Sequence, residues 1–151
     1  MIDISADVKI QVTLCKGAVY YFVEPTFADT DQPHYFVVLN EKPLNDTTIV
    51  LACATSQIQK RRKFVESRNL PETTLVEIVP GAYKHFSLPT IFNCNDPLEK
   101  TKESLVLLLN DNKLNPFLDP IDSKIVADIC RGVHDSPLVE NRIKKLLGEL
   151  S

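Results

Sequence analysis

Apolar positions recur at two different periods along this chain, and the change of period divides it near residue 95. Val8, Ile10, Val12 and Leu14 alternate with Lys9, Gln11 and Thr13, a period of two that predicts a half-exposed strand. Lys16-Gly17 breaks the pattern, residues 18–23 (AVYYFV) predict a second strand, and Pro25 stops it. Residues 27–33 (FADTDQP) read as a polar loop carrying Asp29 and Asp31. Residues 34–40 and 47–54 are nearly continuous β-branched, aromatic and aliphatic runs, as expected of strands buried on both faces, and the polar turn EKPLND joins them. Residues 59–68 (QKRRKFVESR) predict a loop, although Phe64 and Val65 also allow a short helical turn. Residues 73–79 form another strand, ended by Pro80-Gly81. Residues 83–86 and 90–94 read as extended, separated by Ser87-Leu88-Pro89. About six closely spaced strands with short turns suggest a small barrel or a strongly bent sheet.

The last third has helical period. Asp96-Pro97-Leu98-Glu99 sets an N-cap acid, a first-turn proline and an acidic third residue in register for a helix start, with Leu98, Leu105, Leu108 and Leu109 on its apolar face. Residues 110–120 read as a loop. Asp122 caps a short helix in which Ile125, Ile129 and Val133 follow at four-residue intervals, closing near Gly132. Ser136-Pro137 opens a final helix with Val139, Ile143, Leu146, Leu147 and Leu150 in one stripe, opposite Glu140, Arg142, Lys144 and Lys145. The expected class is α+β in one domain over residues 1–151, with strands over about 7–95 and helices over about 96–150.

Composition adds limits. A chain of 151 residues can bury a core without staples. A net charge of −3 argues against nucleic-acid binding over the whole surface but allows a local basic patch. Cys15, Cys53, Cys94 and Cys130 are isolated, without a C-x-x-C pair or zinc-ligand spacing, and read as reduced, mostly buried thiols of a cytoplasmic protein. No basic segment followed by an apolar run opens the chain, and the longest apolar run, residues 105–109, is too short to span a bilayer.

The strand ends offer candidate chemistry. His34 opens one buried run, where an imidazole can face a cleft or simply bond to neighbouring backbone. His85 reads as a surface residue and His134 as part of a turn between helices. Thr55 and Ser56 follow the second buried run, where hydroxyls serve a site or merely a turn. Lys60, Arg61, Arg62 and Lys63 come directly afterwards and concentrate positive charge, which suits a phosphodiester backbone. Tyr20, Tyr21, Phe27 and Tyr35 are candidates for stacking on bases. No G-x-S-x-G, P-loop, G-x-G-x-x-G or H-E-x-x-H occurs.

The order of these pieces resembles the MazF/PemK (Kid) family, toxins of bacterial toxin–antitoxin systems. Gly17-Ala18-Val19-Tyr20-Tyr21-Phe22-Val23-Glu24-Pro25-Thr26 matches the glycine-led, apolar, Pro-Thr opening of that family. His34-Tyr35-Phe36-Val37-Val38-Leu39-Asn40 matches its next strand, and Thr55-Ser56-Gln57 the hydroxyl-rich end of the one after. Residues 129–136 and the stripe beyond match its closing turn and helix. The resemblance implies an SH3-like barrel followed by helices. It also implies a homodimeric, cytoplasmic endoribonuclease that uses no metal or cofactor, cleaves single-stranded RNA through its 2′-OH and is silenced by an antitoxin protein. Carried over by position, the catalytic residues fall on His34 and Thr55, with Ser56 beside them, and Lys60, Arg61, Arg62 and Lys63 would hold RNA. His34 stands where the family has arginine, and Tyr35 where it has proline. A second reading is a non-catalytic SH3-like module, or a degenerate toxin homologue, that binds a protein partner.

Overall fold

The two continuous apolar runs become neighbouring strands at the centre of one antiparallel sheet. In the computed structural model, which describes residues 5–27 and 32–149, the chain is α+β. The order is α1 (Ala6–Thr13), β1 (Val19–Val23), β2 (Pro33–Val38), β3 (Ile49–Thr55), α2 (Ile58–Ser67), β4 (Leu75–Ile78), β5 (Thr90–Asn93), β6 (Leu98–Lys100), α3 (Lys102–Asn110), β7 (Leu114–Pro116), α4 (Ser123–Asp135) and α5 (Asn141–Leu146). The seven strands run β4-β5-β3-β2-β1-β7, with β6 on β3 as well. The end strands β4 and β7 do not pair with each other, so the sheet is open rather than a closed barrel.

β3 creates a fork. One edge pairs with β2, matching Leu51 with Val38 and Cys53 with Phe36. On its other edge Ile49, Val50 and Leu51 pair with Lys100, Glu99 and Leu98 of β6, whereas Ala54 and Thr55 pair with Phe92 and Ile91 of β5. Alternate residues of β2 and β3 feed two cores. Val37, Leu39, Ala52 and Ala54 pack with Ile129 and Val133 of α4 and Ile143 of α5. Phe36, Val38, Ile49 and Leu51 pack with Ile10 of α1 and Leu105 of α3. Burial on both faces explains why these strands lack alternation.

Several expectations change. Residues 8–14 are not a strand: Ser5 caps α1 by accepting the Val8 N–H at 3.3 Å, and Ile10 is buried while Val12 is 72% exposed. Positions 6, 10 and 14 are spaced for one helix face as well as for one strand face, and the cap together with packing on α3 settles the choice. Residues 59–68 are helical rather than a loop, because Gln, Lys, Arg and Glu favour helix and Val65 anchors it in the interior. Residues 83–86 make a turn, closed by Gly81 N–H to Phe86 O at 2.9 Å, rather than a strand. Asp96 caps no helix. Residues 98–100 pair with β3 instead, and Thr101 caps α3 by accepting the Ser104 N–H at 3.1 Å. The 110–120 loop contains β7, an edge strand on β1.

Asp122 caps α4 as expected, accepting the Lys124 N–H at 2.8 Å. The helix continues past Gly132 to Asp135, and the last helix begins only at Asn141 with Glu140 as its N-cap. Val139, Ile143 and Leu147 are buried as the stripe requires, while Leu150 lies outside the described residues. Asp29 and Asp31 also lie outside them. The four cysteines stand as thiols: Cys94 and Cys130 are in the core, Cys53 is half-buried and Cys15 is exposed. No helix among the described residues is long and apolar enough to cross a membrane.

Gly132 is fixed by a close approach. A Cβ there would lie 2.6 Å from the Thr73 carbonyl oxygen and 2.7 Å from Cys94 Sγ. Gly132→Ala is expected to push α4 off the sheet and destabilise the fold by roughly 1–3 kcal/mol, read as a lowered urea midpoint.

Candidate functional site

The site forms where β2 and β3 stop pairing with each other. Their ladder ends at Phe36–Cys53, and the same register continued by two residues sets His34 opposite Thr55, on the face that carries Phe36 and Cys53. The half-buried imidazole meets the Phe27 ring edge-on at 5.5 Å between centroids. Thr55 Oγ1 accepts the Gln57 N–H at 3.1 Å. The hydroxyl therefore makes the turn that leads into α2 and keeps its own proton available to donate.

α2 brings positive charge to the same place. Lys60 and Arg61 stand in its first turn, which has no acidic residue and no side-chain cap. A helix N-terminus is the positive end of the backbone dipole, so each cation there is unfavourable by roughly 0.3–1 kcal/mol, and a bound anion would reverse the sign. His34, Thr55, Gln57, Lys60 and Arg61 line one cleft of about 420 Å³. Thr26, Phe27 and Cys53 complete its inner wall, and Asn93 and Asp96 form the side beyond.

The basic cluster does not act as a block. Arg62 is turned to an ion pair with Glu77 on β4, and Lys63 is exposed and lines neither this cleft nor the next. Ser56 is also absent from this cleft. It lines a second one of about 460 Å³ on the opposite side of the strand ends, together with Tyr21, Tyr35 and His85. His34, Thr55 and Gln57 border both. Tyr20 is fully buried, its hydroxyl 2.8 Å from Thr13 Oγ1, and is not available for stacking. His134 lies in the last turn of α4, away from both clefts.

Sequence reasoning missed Asn93 and Asp96, because they reach the cleft through the fork. The chain passes from β5 to β6 beside Cys53, and the buried Asn95 amide holds that passage. Its Nδ2 donates to Thr74 Oγ1 at 2.9 Å and to Asn93 Oδ1 at 3.0 Å, while Ser136 Oγ donates to its Oδ1 at 2.7 Å. The clustered asparagines in Asn93-Cys94-Asn95 were the available signal. Asn95→Ala is expected to cost about 1–3 kcal/mol, because the partners left behind stay buried, and to loosen the Asn93–Asp96 wall. Urea denaturation and amide hydrogen exchange at residues 93–96 would show both effects.

Glu24 props the opposite wall. Its carboxylate is 2% exposed, pairs with Lys100 of β6 at 2.5 Å and accepts the Thr26 hydroxyl at 2.6 Å. Burial alone would raise its pKa, but the Lys100 ammonium and the Thr26 hydroxyl outweigh burial and hold it below the ordinary value. A carboxyl lowered in the fold contributes stability above its unfolded pKa of about 4.3 and loses it as pH falls through the folded value. Urea midpoints measured from about pH 6 down to pH 3 should therefore fall less for Glu24→Gln than for the wild type.

Among the described residues, no three His, Cys, Asp or Glu side chains converge as metal ligands. No protein-family model and no curated protein matches the chain.

Proposed function

We propose that this cleft cleaves single-stranded RNA, as the resemblance to the MazF/PemK toxins implies. The observation that carries the reading is the convergence of His34, Thr55, Lys60 and Arg61, from two strand ends and a helix start, on one cleft. These are a proton carrier, a hydroxyl donor and two cations, a set suited to a phosphodiester. Among the described residues the lining holds two cations, Lys60 and Arg61, against the one carboxylate of Asp96. The glycine-led opening of β1 and the order of the strands that follow support the finer reading of this open sheet as SH3-like.

In this reaction His34 takes the proton from the ribose 2′-OH as its oxygen attacks phosphorus. The bond to the 5′-oxygen breaks, and that oxygen takes a proton from the Lys60 ammonium. The products are a 2′,3′-cyclic phosphate and a 5′-hydroxyl, and solvent restores both protonation states. Thr55 donates to a non-bridging oxygen, and Arg61 balances the charge that grows on the phosphorane. The same reading makes the protein a homodimer silenced by an antitoxin.

The wild type is expected to cleave a long single-stranded RNA in EDTA and to leave the all-DNA counterpart intact, since DNA lacks the attacking hydroxyl. His34→Ala and Thr55→Ala should each lower the single-turnover rate on the order of a hundredfold. Lys60→Ala with Arg61→Ala should weaken binding, reduce its salt dependence and also lower the single-turnover rate at saturating protein. Intact RNA with the wild type sinks the nuclease, and RNA or peptide binding without cleavage points to the binding module instead.

A further inference from the structure

α1 precedes Gly17, where the stretch that resembles the toxins begins, so that resemblance gives it no task. It is a helix with apolar residues on two sides. Ala6, Ile10 and Leu14 turn into the interior beside α3, whereas Val8 and Val12 are 43% and 72% exposed. A surface helix of a globular domain carries one apolar stripe toward its core, and a second stripe calls for a second cover. α3 repeats the pattern, with Leu105 buried and Leu107 63% exposed. Leu44, 48% exposed, stands beside them on the turn Pro43–Asn45. Of the eight large apolar residues exposed among the described residues, these four gather on one side, and Val12, Leu44 and Leu107 line a groove of about 800 Å³ there. On the other face of the sheet α4 and α5 turn Ile129, Val133, Ile143 and Leu147 inward.

The turn and the charges indicate what covers this face. Lys102 Nζ donates to the Leu44 carbonyl at 2.7 Å, and the buried Asn40 amide donates to Asp46 Oδ2 at 2.9 Å and to the Thr48 carbonyl at 2.8 Å. Leu44 is therefore held in place before any partner arrives, which lowers the entropic cost of covering it. Each helical residue turns by about 100° from the last, so Asp7 and Lys9 stand about 100° to either side of the Val8–Val12 stripe. Both are exposed, and one flank of the stripe is acidic while the other is basic. Such a stripe is complementary to itself. About a two-fold axis running along the helix each flank meets the opposite flank of the other copy, so Asp7 of each faces Lys9 of the other. A strongly acidic or strongly basic partner would find one flank repulsive. We infer that the α1–α3 face is the surface through which two copies of this chain pair, with the α1 helices parallel and Leu44 and Leu107 extending the contact. The homodimer belongs to the nuclease reading, and on that point the pairing rests on it; the choice of face does not.

Sedimentation velocity of the full chain from about 1 to 300 µM reads the pairing, since contacts of modest size hold in the micromolar range. The wild type should pass from monomer to dimer across that range. Val12→Glu should weaken the dimer about tenfold, because it sets a carboxylate in an apolar contact. Asp7→Lys alone should weaken it about fivefold by placing like charge opposite Lys9. Adding Lys9→Asp should restore the dimer, an outcome that damage to the fold would not produce. A chain that stays monomeric throughout overturns the pairing and leaves the face to a partner of another sequence. A dimer indifferent to Val12→Glu and to the charge changes overturns the face, and failure of the second charge change to restore it overturns the parallel arrangement. Cleavage of RNA is read on the same samples. Cleavage by a monomer overturns the pairing and spares the nuclease, whereas a charge-swappable dimer without cleavage spares the pairing and sinks the nuclease.

Discussion

A strand buried on both faces must still satisfy the backbone groups along both of its edges, and β3 does so with three partners instead of two. Its side chains from Ile49 to Ala54 are buried apart from a half-buried Cys53, so unpaired amides along most of it would have no water to turn to. β6 satisfies the far edge only as far as Leu51, and β5 takes over at Ala54. The handover opposite Cys53 leaves a gap that neither strand fills, and the chain that crosses it carries Asn93 and Asp96. The candidate cleft is therefore a consequence of how β3 is hydrogen-bonded. The buried amide of Asn95 turns that geometry into something rigid, because it ties the crossing to Thr74 beside β4 and to Ser136 at the end of α4.

How much of this could be read from the sequence follows the range of the interactions involved. The runs at β2 and β3 declared themselves because burial on both faces is written into consecutive residues, and the Asp122 cap because capping is local. α1 misled because Val8, Ile10, Val12 and Leu14 fit a period of two and a spacing of four equally, and only Ser5 and the packing of α3 distinguish them. β6 and β7 are three residues each, too short for any period, and exist only because β3 and β1 offer edges. Asp96 and Thr101 compete as helix starts five positions apart, and the pairing of Leu98–Lys100 with β3 decides for Thr101. The same logic applies to the site. His34 and Thr55 could be paired in advance, since each ends one of two adjacent antiparallel strands. Asn93 and Asp96 could not, since the fork that delivers them joins segments some forty residues apart.

The helical form of residues 58–67 changes the meaning of the basic cluster. In a loop four successive cations are equivalent and form one diffuse patch. In a helix each residue turns by about 100° from the last, so neighbours point to different surroundings. Arg62 is directed to Glu77, where it fastens α2 to β4, and Arg68 lies 5.0 Å over the Phe64 ring at the far end. Lys60 and Arg61 are left on the cleft side. Of the four, Arg62 ties the helix to the sheet, Lys63 is exposed, and Lys60 and Arg61 line the cleft.

That division bears on why the helix begins as it does. Stability alone would favour Ser, Thr, Asp or Asn at the cap and an acid in the first turn, worth about 1 kcal/mol or more together. The protein has Gln57 at the cap with no side-chain bond, and two cations in the first turn. Two good capping residues, Thr55 and Ser56, are present but stand two and one positions too early; Thr55 uses its oxygen on the Gln57 N–H instead. The first turn thus has no side-chain cap beside two positive side chains, at the cleft that His34 shares. An anion in that position would supply the missing cap and neutralise the misplaced charges at once.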